Sequence, residues 1–263
     1  MKPKLNDIKG KRLLFLDIIR GFALVNMVLY HLLYNLVYIF NQSISWFSIS
    51  KAFVWQQMIC YTFIIVSGIS FNLSKKPVKK AFILLVCALG ISFFTYMFEP
   101  NHMIWFGIIH FFAAATFLTI LLKPLLTRIP VLVGFITAIL LFILLRNLPS
   151  GYLSFFSLWR LNLQASLYES TSLFFVGLPH HGFRSSDYFP IFPWLFLYLA
   201  GFYGYGFYQK MCLVLLEKHG FGEGKVYSVF DKTMGFLGRK SLIIYMLHQP
   251  VLYGILYLIY NFY

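Results

Sequence analysis

Apolar residues fall into about seven runs, roughly 13–38, 52–73, 79–98, 103–122, 130–146, 189–208 and 240–260, with short polar segments between them. A helix of ~20 apolar residues crosses the hydrocarbon core of a bilayer, and a helix satisfies its own backbone groups there. The pattern therefore predicts an all-α fold, a polytopic transmembrane helical bundle of about seven spans. The whole chain, 1–263, reads as one integral membrane domain. Residues 147–188 make the longest connection, and their aromatic residues alternate with Arg160, Glu169, His180, His181, Arg184 and Asp187. That composition suits an interfacial or re-entrant segment, or a cap, better than a free linker. It also leaves room for two more short spans. The segment 209–239, with Gly220, Gly222 and Gly224, reads as a loop carrying a short surface helix.

The first run is interrupted in an orderly way. In LDIIRGFALVNMVLYH, residues 16–31, the polar positions are Asp17, Arg20, Asn26 and His31. Arg20 and His31 are about three helical turns apart, so they share a face. Asp17 lies one turn before Arg20 and can pair with it. Charged groups inside a span are costly and are kept for pairing, for a pathway or for catalysis. This face must look into protein or a watery cavity.

Composition agrees with the pattern: 60% of residues are hydrophobic, 11% are charged, and the mean hydropathy is +0.75. The net charge of +14 would suggest nucleic acid for a soluble chain, but its placement argues for topology and no nucleic-acid partner is expected. Lys2 to Arg12 precede the first span. Lys75, Lys76, Lys79 and Lys80 fill one tight loop, Lys123 and Arg128 another, and Lys210 to Lys240 the last. By the positive-inside rule these segments are cytosolic, the N-terminus included. The first run then reads as an uncleaved signal anchor. Cys60, Cys87 and Cys212 are scattered without metal spacing, so they read as packing residues and no metal is expected.

Histidine suits proton transfer near neutral pH, and three histidines lie inside spans: His31, His110 and His248. Any one of them alone is as well explained by hydrogen-bonded packing. Depth sorts the group into two tiers. Arg20 lies roughly 12 Å into the membrane from the cytosolic side at ~1.5 Å per residue, and His248 reaches a similar depth on the last span. His31 and His110 fall nearer the outer side. In GRKSLIIYMLHQP, Ser241, Tyr245 and His248 share one helix face, and Pro250 kinks the helix beside His248. Glu99 and His102 stand at the lip of the span that carries His110. Asp187 precedes the run at 189–208 and suits a helix cap there. No P-loop, zinc motif or serine-hydrolase elbow is present.

The opening motif resembles that of the family 3 membrane acyltransferases, in which an Arg and a His on the first helix are separated as Arg20 and His31 are. From LDIIRG through FGIIHF and DYFPIFPW to GRKSLIIYMLHQP, nearly the full length is similar to the short bacterial branch of the heparan-α-glucosaminide N-acetyltransferase catalytic family. The resemblance implies transfer of an acetyl or other acyl group from cytosolic acyl-CoA to a hydroxyl or amine of an extracytoplasmic glycan, in a bacterial cytoplasmic membrane. His31, assisted by His110, would act as general base or carry a transient acyl group, a role that rests on the family 3 match. Arg20, held by Asp17, would orient the surroundings of His31 or contact the donor. His248, with Ser241 and Tyr245, would serve the donor side. Acetyl-CoA or another acyl-CoA, the carbohydrate acceptor and the lipid bilayer are the expected partners, with a homodimer left open.

Two other classes compete. A small transporter or flippase would line a path with the same polar residues, although no repeat or symmetric pair of broken helices is visible. A seven-span scaffold would use the buried charges structurally. Binding of acyl-CoA with slow acyl transfer separates the enzyme from both.

Overall fold

A computed structural model describes residues 5–219 and 229–262, with side chains placed for 14–211 and 229–260. Cys212, Lys218 and the glycines at 220, 222 and 224 fall outside the described side chains. Eight α-helices dominate: α1 (Leu5–Tyr34), α2 (Ile49–Phe71), α3 (Pro77–Phe98), α4 (Ile108–Leu126), α5 (Val131–Leu145), α6 (Ile191–His219), α7 (Val229–Arg239) and α8 (Ser241–Phe262). Six helical segments are long and apolar enough to cross a membrane: Leu14–Ile39, Ile49–Phe71, Pro77–Phe98, Ile108–Leu126, Val131–Ser150 and Ser241–Tyr260. The run at 189–208 falls in α6 from Ile191 onward, a helix that is long enough, but Tyr198, Tyr203, Tyr205, Tyr208 and three intervening glycines dilute its hydropathy. The protein is an integral membrane α-helical bundle with about the expected number of spans.

Residues 147–188 add no further spans. They form a two-stranded antiparallel hairpin, β1 (Tyr152–Phe155) with β2 (Trp159–Asn162), and short 3-10 turns. Gly151 and Gly177 terminate two of those turns with positive φ, which glycine adopts without steric cost. Apolar runs here are too short and too often broken by Pro, Gly and Ser to propagate a helix of spanning length.

The chain divides into two compact units, Met1–Val66 with Phe207–Tyr263, and Ser67–Gly206. The first unit buries Leu24, Met27 and Tyr30 of α1 against Phe47, Ala52 and Ile59, and Leu237, Ile244 and Tyr245 pack on that cluster. Helix α7 lies against α1 in the opposite direction, because Gly21 faces the backbone of Met234 and Gly238 faces that of Asp17. A Cβ on either glycine would collide with a main-chain carbonyl, so small residues allow the close approach. The segment expected to carry a short surface helix supplies one in α7, which packs its glycine face on α1 and exposes Val229, Phe230 and Phe236. In the second unit α3 packs on α4. Gly68 sits against the Tyr198 backbone, and Tyr203 donates its hydroxyl to the Leu126 carbonyl at 3.1 Å.

Candidate active site

The polar face of α1 separates into two groups within the first unit. The first is ionic. Arg20 Nη1 lies 2.7 Å from Asp17 Oδ1, the one-turn pairing that the spacing predicts. The second carboxylate oxygen of Asp17 is 4.0 Å from Arg239 Nη1, at the end of α7. The Gly238 contact brings Arg239 there. Asn26, one further polar position, is also engaged: its Oδ1 accepts a bond from Trp55 Nε1 at 3.1 Å, and its Nδ2 donates to the Phe22 carbonyl.

The second group is neutral and centres on two histidines. The rings of His31 and His248 lie 4.8 Å apart, centroid to centroid. Tyr30 and Tyr245 pack edge-on or tilted against them. His248 donates Nδ1–H to the Tyr245 carbonyl at 2.6 Å, which fixes its ring and leaves Nε2 as the nitrogen that carries a lone pair. That Nε2 is buried and has no hydrogen-bond partner among the described residues. Such an atom needs an explanation, since buried polar groups are nearly always paired. On the other ring, Gln249 Nε2 donates to His31 Nδ1 at 3.2 Å, and Gln249 Oε1 accepts from Asn35 Nδ2 at 3.0 Å.

Local backbone geometry presents these groups. After Tyr34 the chain continues as a π-helical turn, Asn35–Ile39, in which Phe40 N–H bonds to the Asn35 carbonyl. Turns of this kind widen a helix and recur at functional sites. Here one places Asn35, fully buried, against α8. In α8, Pro250 has no N–H to give the Met246 carbonyl, two residues from His248.

The two expected tiers are not both formed. His248 does not join Asp17 and Arg20 but lies beside His31. Helix α8 begins after Arg239, already at the level of Asp17 and not at the membrane edge. Ile244 and Tyr245 then meet the Leu24 to Tyr30 stretch, which carries His248 up to His31. Ser241 is the first residue of α8, next to the ionic group, and Tyr245 contributes its ring and carbonyl to the His248 environment.

His110 belongs to the second unit. It occupies the first turn of α4, not about two turns into a span, because that helix begins at Ile108 and not at 103. Ser92 gives its only hydroxyl proton to the Ile104 carbonyl at 2.6 Å, so at 3.2 Å His110 Nε2 is the donor to Ser92 Oγ. His110 Nδ1 is buried without a partner among the described residues. Asp187 caps a helix other than the expected one: its Oδ2 accepts from Ile108 N–H at the start of α4. Glu99 and His102 form an exposed pair at 3.5 Å.

The 147–188 region of this unit borders a cleft of about 980 Å³ lined by Trp105, Tyr168, His180, His181, Arg184 and Tyr188, among others. The Tyr168 and Tyr188 hydroxyls are committed to the Leu148 and Phe174 carbonyls, and burial pushes both phenols above their ordinary range.

Asn35 and Gln249 are the site residues that the sequence reading missed. Their signal was present: Asn35 is a lone amide in LLYNLVYIF, one turn after His31, and Gln249 directly follows His248. A family model described as heparan-alpha-glucosaminide N-acetyltransferase, catalytic, matches residues 12–250. The chain belongs to this family. No curated protein and no solved structure matches it. The heparan-alpha-glucosaminide N-acetyltransferase match contains Asp17, Arg20, His31, Asn35, His110 and Gln249 and ends just past His248, so both polar groups of α1 lie inside it. Family membership points to an acetyltransferase embedded in the membrane. Among the described residues, no group of three or more His, Cys, Asp or Glu could hold a metal ion.

Proposed function

We propose that this protein transfers an acetyl group from acetyl-CoA to an amine or hydroxyl of an extracytoplasmic glycan, with the His31–His248 pair handling the proton. The observation that carries this reading is Nε2 of His248: buried, unpartnered among the described residues, and held by the Tyr245 carbonyl beside a second histidine. An acyl acceptor must lose a proton as its nitrogen or oxygen bonds to the acyl carbon. A fixed imidazole lone pair in a dry site is suited to take it. The carbon–sulfur bond of the donor breaks in the same exchange and the thiol regains one proton, so the histidine pair ends the cycle as it began.

This reading moves the base from His31 to His248 and keeps His31 as its partner. The donor supplies an activated acyl group; its phosphates are anionic. Arg20 and Arg239 both lie beside the carboxylate of Asp17, and Lys9, Lys11, Arg12 and Lys240 stand close to them in the sequence and make this segment basic. Ser241 stands next to it in sequence. Attraction of an anionic donor to this end of α1 follows from that charge, which by the positive-inside reading faces the cytosol of a bacterial cell. His110, already bonded to Ser92, serves the packing of α3 on α4 in this account.

The test is thiol release by purified protein in nanodiscs, with acetyl-CoA and a glucosamine-terminated oligosaccharide. Release that requires the acceptor and yields the acetylated sugar is expected. No acetylated product with any amino or hydroxyl sugar acceptor would overturn the proposal. Ion or sugar flux without acyl transfer would favour a transporter.

A further inference from the structure

We infer that Asn35 and Gln249 are positioning residues that hold His31 as the Nε2–H tautomer and thereby make it the proton donor of the histidine pair. This rests on the acyl-transfer reading for its consequence, but its structural content stands separately. The two amides and the ring form one chain. Asn35 Nδ2–H donates to Gln249 Oε1, and Gln249 Nε2–H donates to His31 Nδ1. A neutral imidazole whose Nδ1 accepts carries its proton on Nε2. On the facing ring the order is reversed, because His248 gives Nδ1–H to the Tyr245 carbonyl and keeps Nε2 bare. The pair therefore presents one N–H and one lone pair. Environments that split two like groups in this way assign one as acid and the other as base.

The far end of the chain is what sets its direction. Asn35 is fully buried at the head of the π-helical turn, and its Oδ1 has no partner among the described residues. An amide turned by 180° keeps nearly the same shape. The same three groups therefore also fit in reverse, with His31 Nδ1–H donating to Gln249 Oε1 and Gln249 Nε2–H donating to Asn35 Oδ1. In that setting both histidines present bare Nε2 atoms and the donor is lost. The reversed setting leaves the buried Nδ2–H groups of Asn35 without an acceptor where the observed one leaves only Oδ1 open, and an orphaned N–H is the rarer of the two, so Asn35 favours the direction that puts the His31 proton on Nε2. When His31 is fully protonated both nitrogens donate, so Gln249 must present Oε1, and the Asn35 amide must turn with it so that Oδ1, unpartnered here, accepts the displaced N–H.

The decisive variant is Asn35→Asp, which offers only an acceptor and so imposes the reversed chain without touching the histidine. The measurement is the ¹⁵N spectrum of ring-labelled histidine in nanodiscs, with the His31 signals assigned by their loss in His31→Gln. The wild type is expected to show protonated Nε2 and bare Nδ1 at His31; Asn35→Asp is expected to exchange them. Gln249→Glu, also acceptor-only, imposes the same exchange and serves if a carboxylate at position 35 prevents folding. Both variants are expected to lower the acetyl-transfer kcat by about ten-fold or more, within the range of general acid–base effects, while KM for acetyl-CoA stays within about two-fold. A wild-type His31 with its proton on Nδ1, or an unchanged tautomer in both variants, overturns the relay. An exchanged tautomer with unchanged kcat overturns its part in the reaction. If the wild type transfers no acetyl group, the functional reading fails, and the spectra still decide the relay.

Discussion

The two polar groups on α1 are made from the same helix face, yet they are resolved in opposite ways. Around Asp17 opposite charges meet: the carboxylate lies 2.7 Å from Arg20 and 4.0 Å from Arg239, on a helix brought close by Gly21 and Gly238. Around His31 the groups are neutral, and two buried atoms, His248 Nε2 and Asn35 Oδ1, are left unanswered. Costly charges inside a span need a closed arrangement if they are to be structural. Open lone pairs beside fully bonded neighbours indicate atoms reserved for something else. The difference teaches that charge is the weaker guide to the reactive end of this helix, and unmet hydrogen-bonding capacity the stronger.

The comparison breaks most visibly at the histidines. His248→Ala and His31→Ala are each expected to lower kcat by about 10²- to 10⁴-fold, read as acetylated product per mole of folded protein, with little change in melting temperature. Asp17→Ala acts the other way. It removes the carboxylate that Arg20, largely buried, meets at 2.7 Å and is expected to cost about 3–5 kcal/mol of stability, measured by thermal unfolding in detergent. Replacing Asp17 and Arg20 together by Leu and Met should recover much of that loss, whereas a catalytic Asp17 would leave the double variant inactive at full stability. Gly238→Leu forces a side chain into the Asp17 backbone and should cost about 1–3 kcal/mol, loosening Arg239 before it affects the histidines. The smallest effect belongs to Asp187→Ala in the other unit. It removes the bond to Ile108 N–H and is expected to lower stability by about 0.5–2 kcal/mol with an unaltered rate.

Much of the architecture is legible from hydropathy, because a span must be about 20 apolar residues long; most helices begin and end within a few residues of the apolar runs. Helix α4 departs at its start, Ile108 and not 103, since that N–H is capped by Asp187 from a distant loop, and α1 and α6 extend beyond their runs, to Leu5 and His219. The Asp17–Arg20 pair is equally legible, being local to one turn. The contact of His31 with His248 is not, because it depends on where α8 begins. That start is fixed by the glycine face of α7 against α1, which hydropathy does not register. The Asn35–Gln249 bond joins residues 214 positions apart in the sequence and needs the π-helical turn to aim Asn35. A lone amide in an apolar run is a visible signal, but its partner is a property of the packed helices.

The most direct test of the central claim uses proteoliposomes loaded with a glucosamine-terminated oligosaccharide and given radiolabelled acetyl-CoA outside. Wild-type protein and Asp17→Asn protein that remains folded are predicted to label the enclosed sugar, while His248→Ala protein of equal stability leaves it unlabelled. Undiminished labelling by His248→Ala would contradict the account.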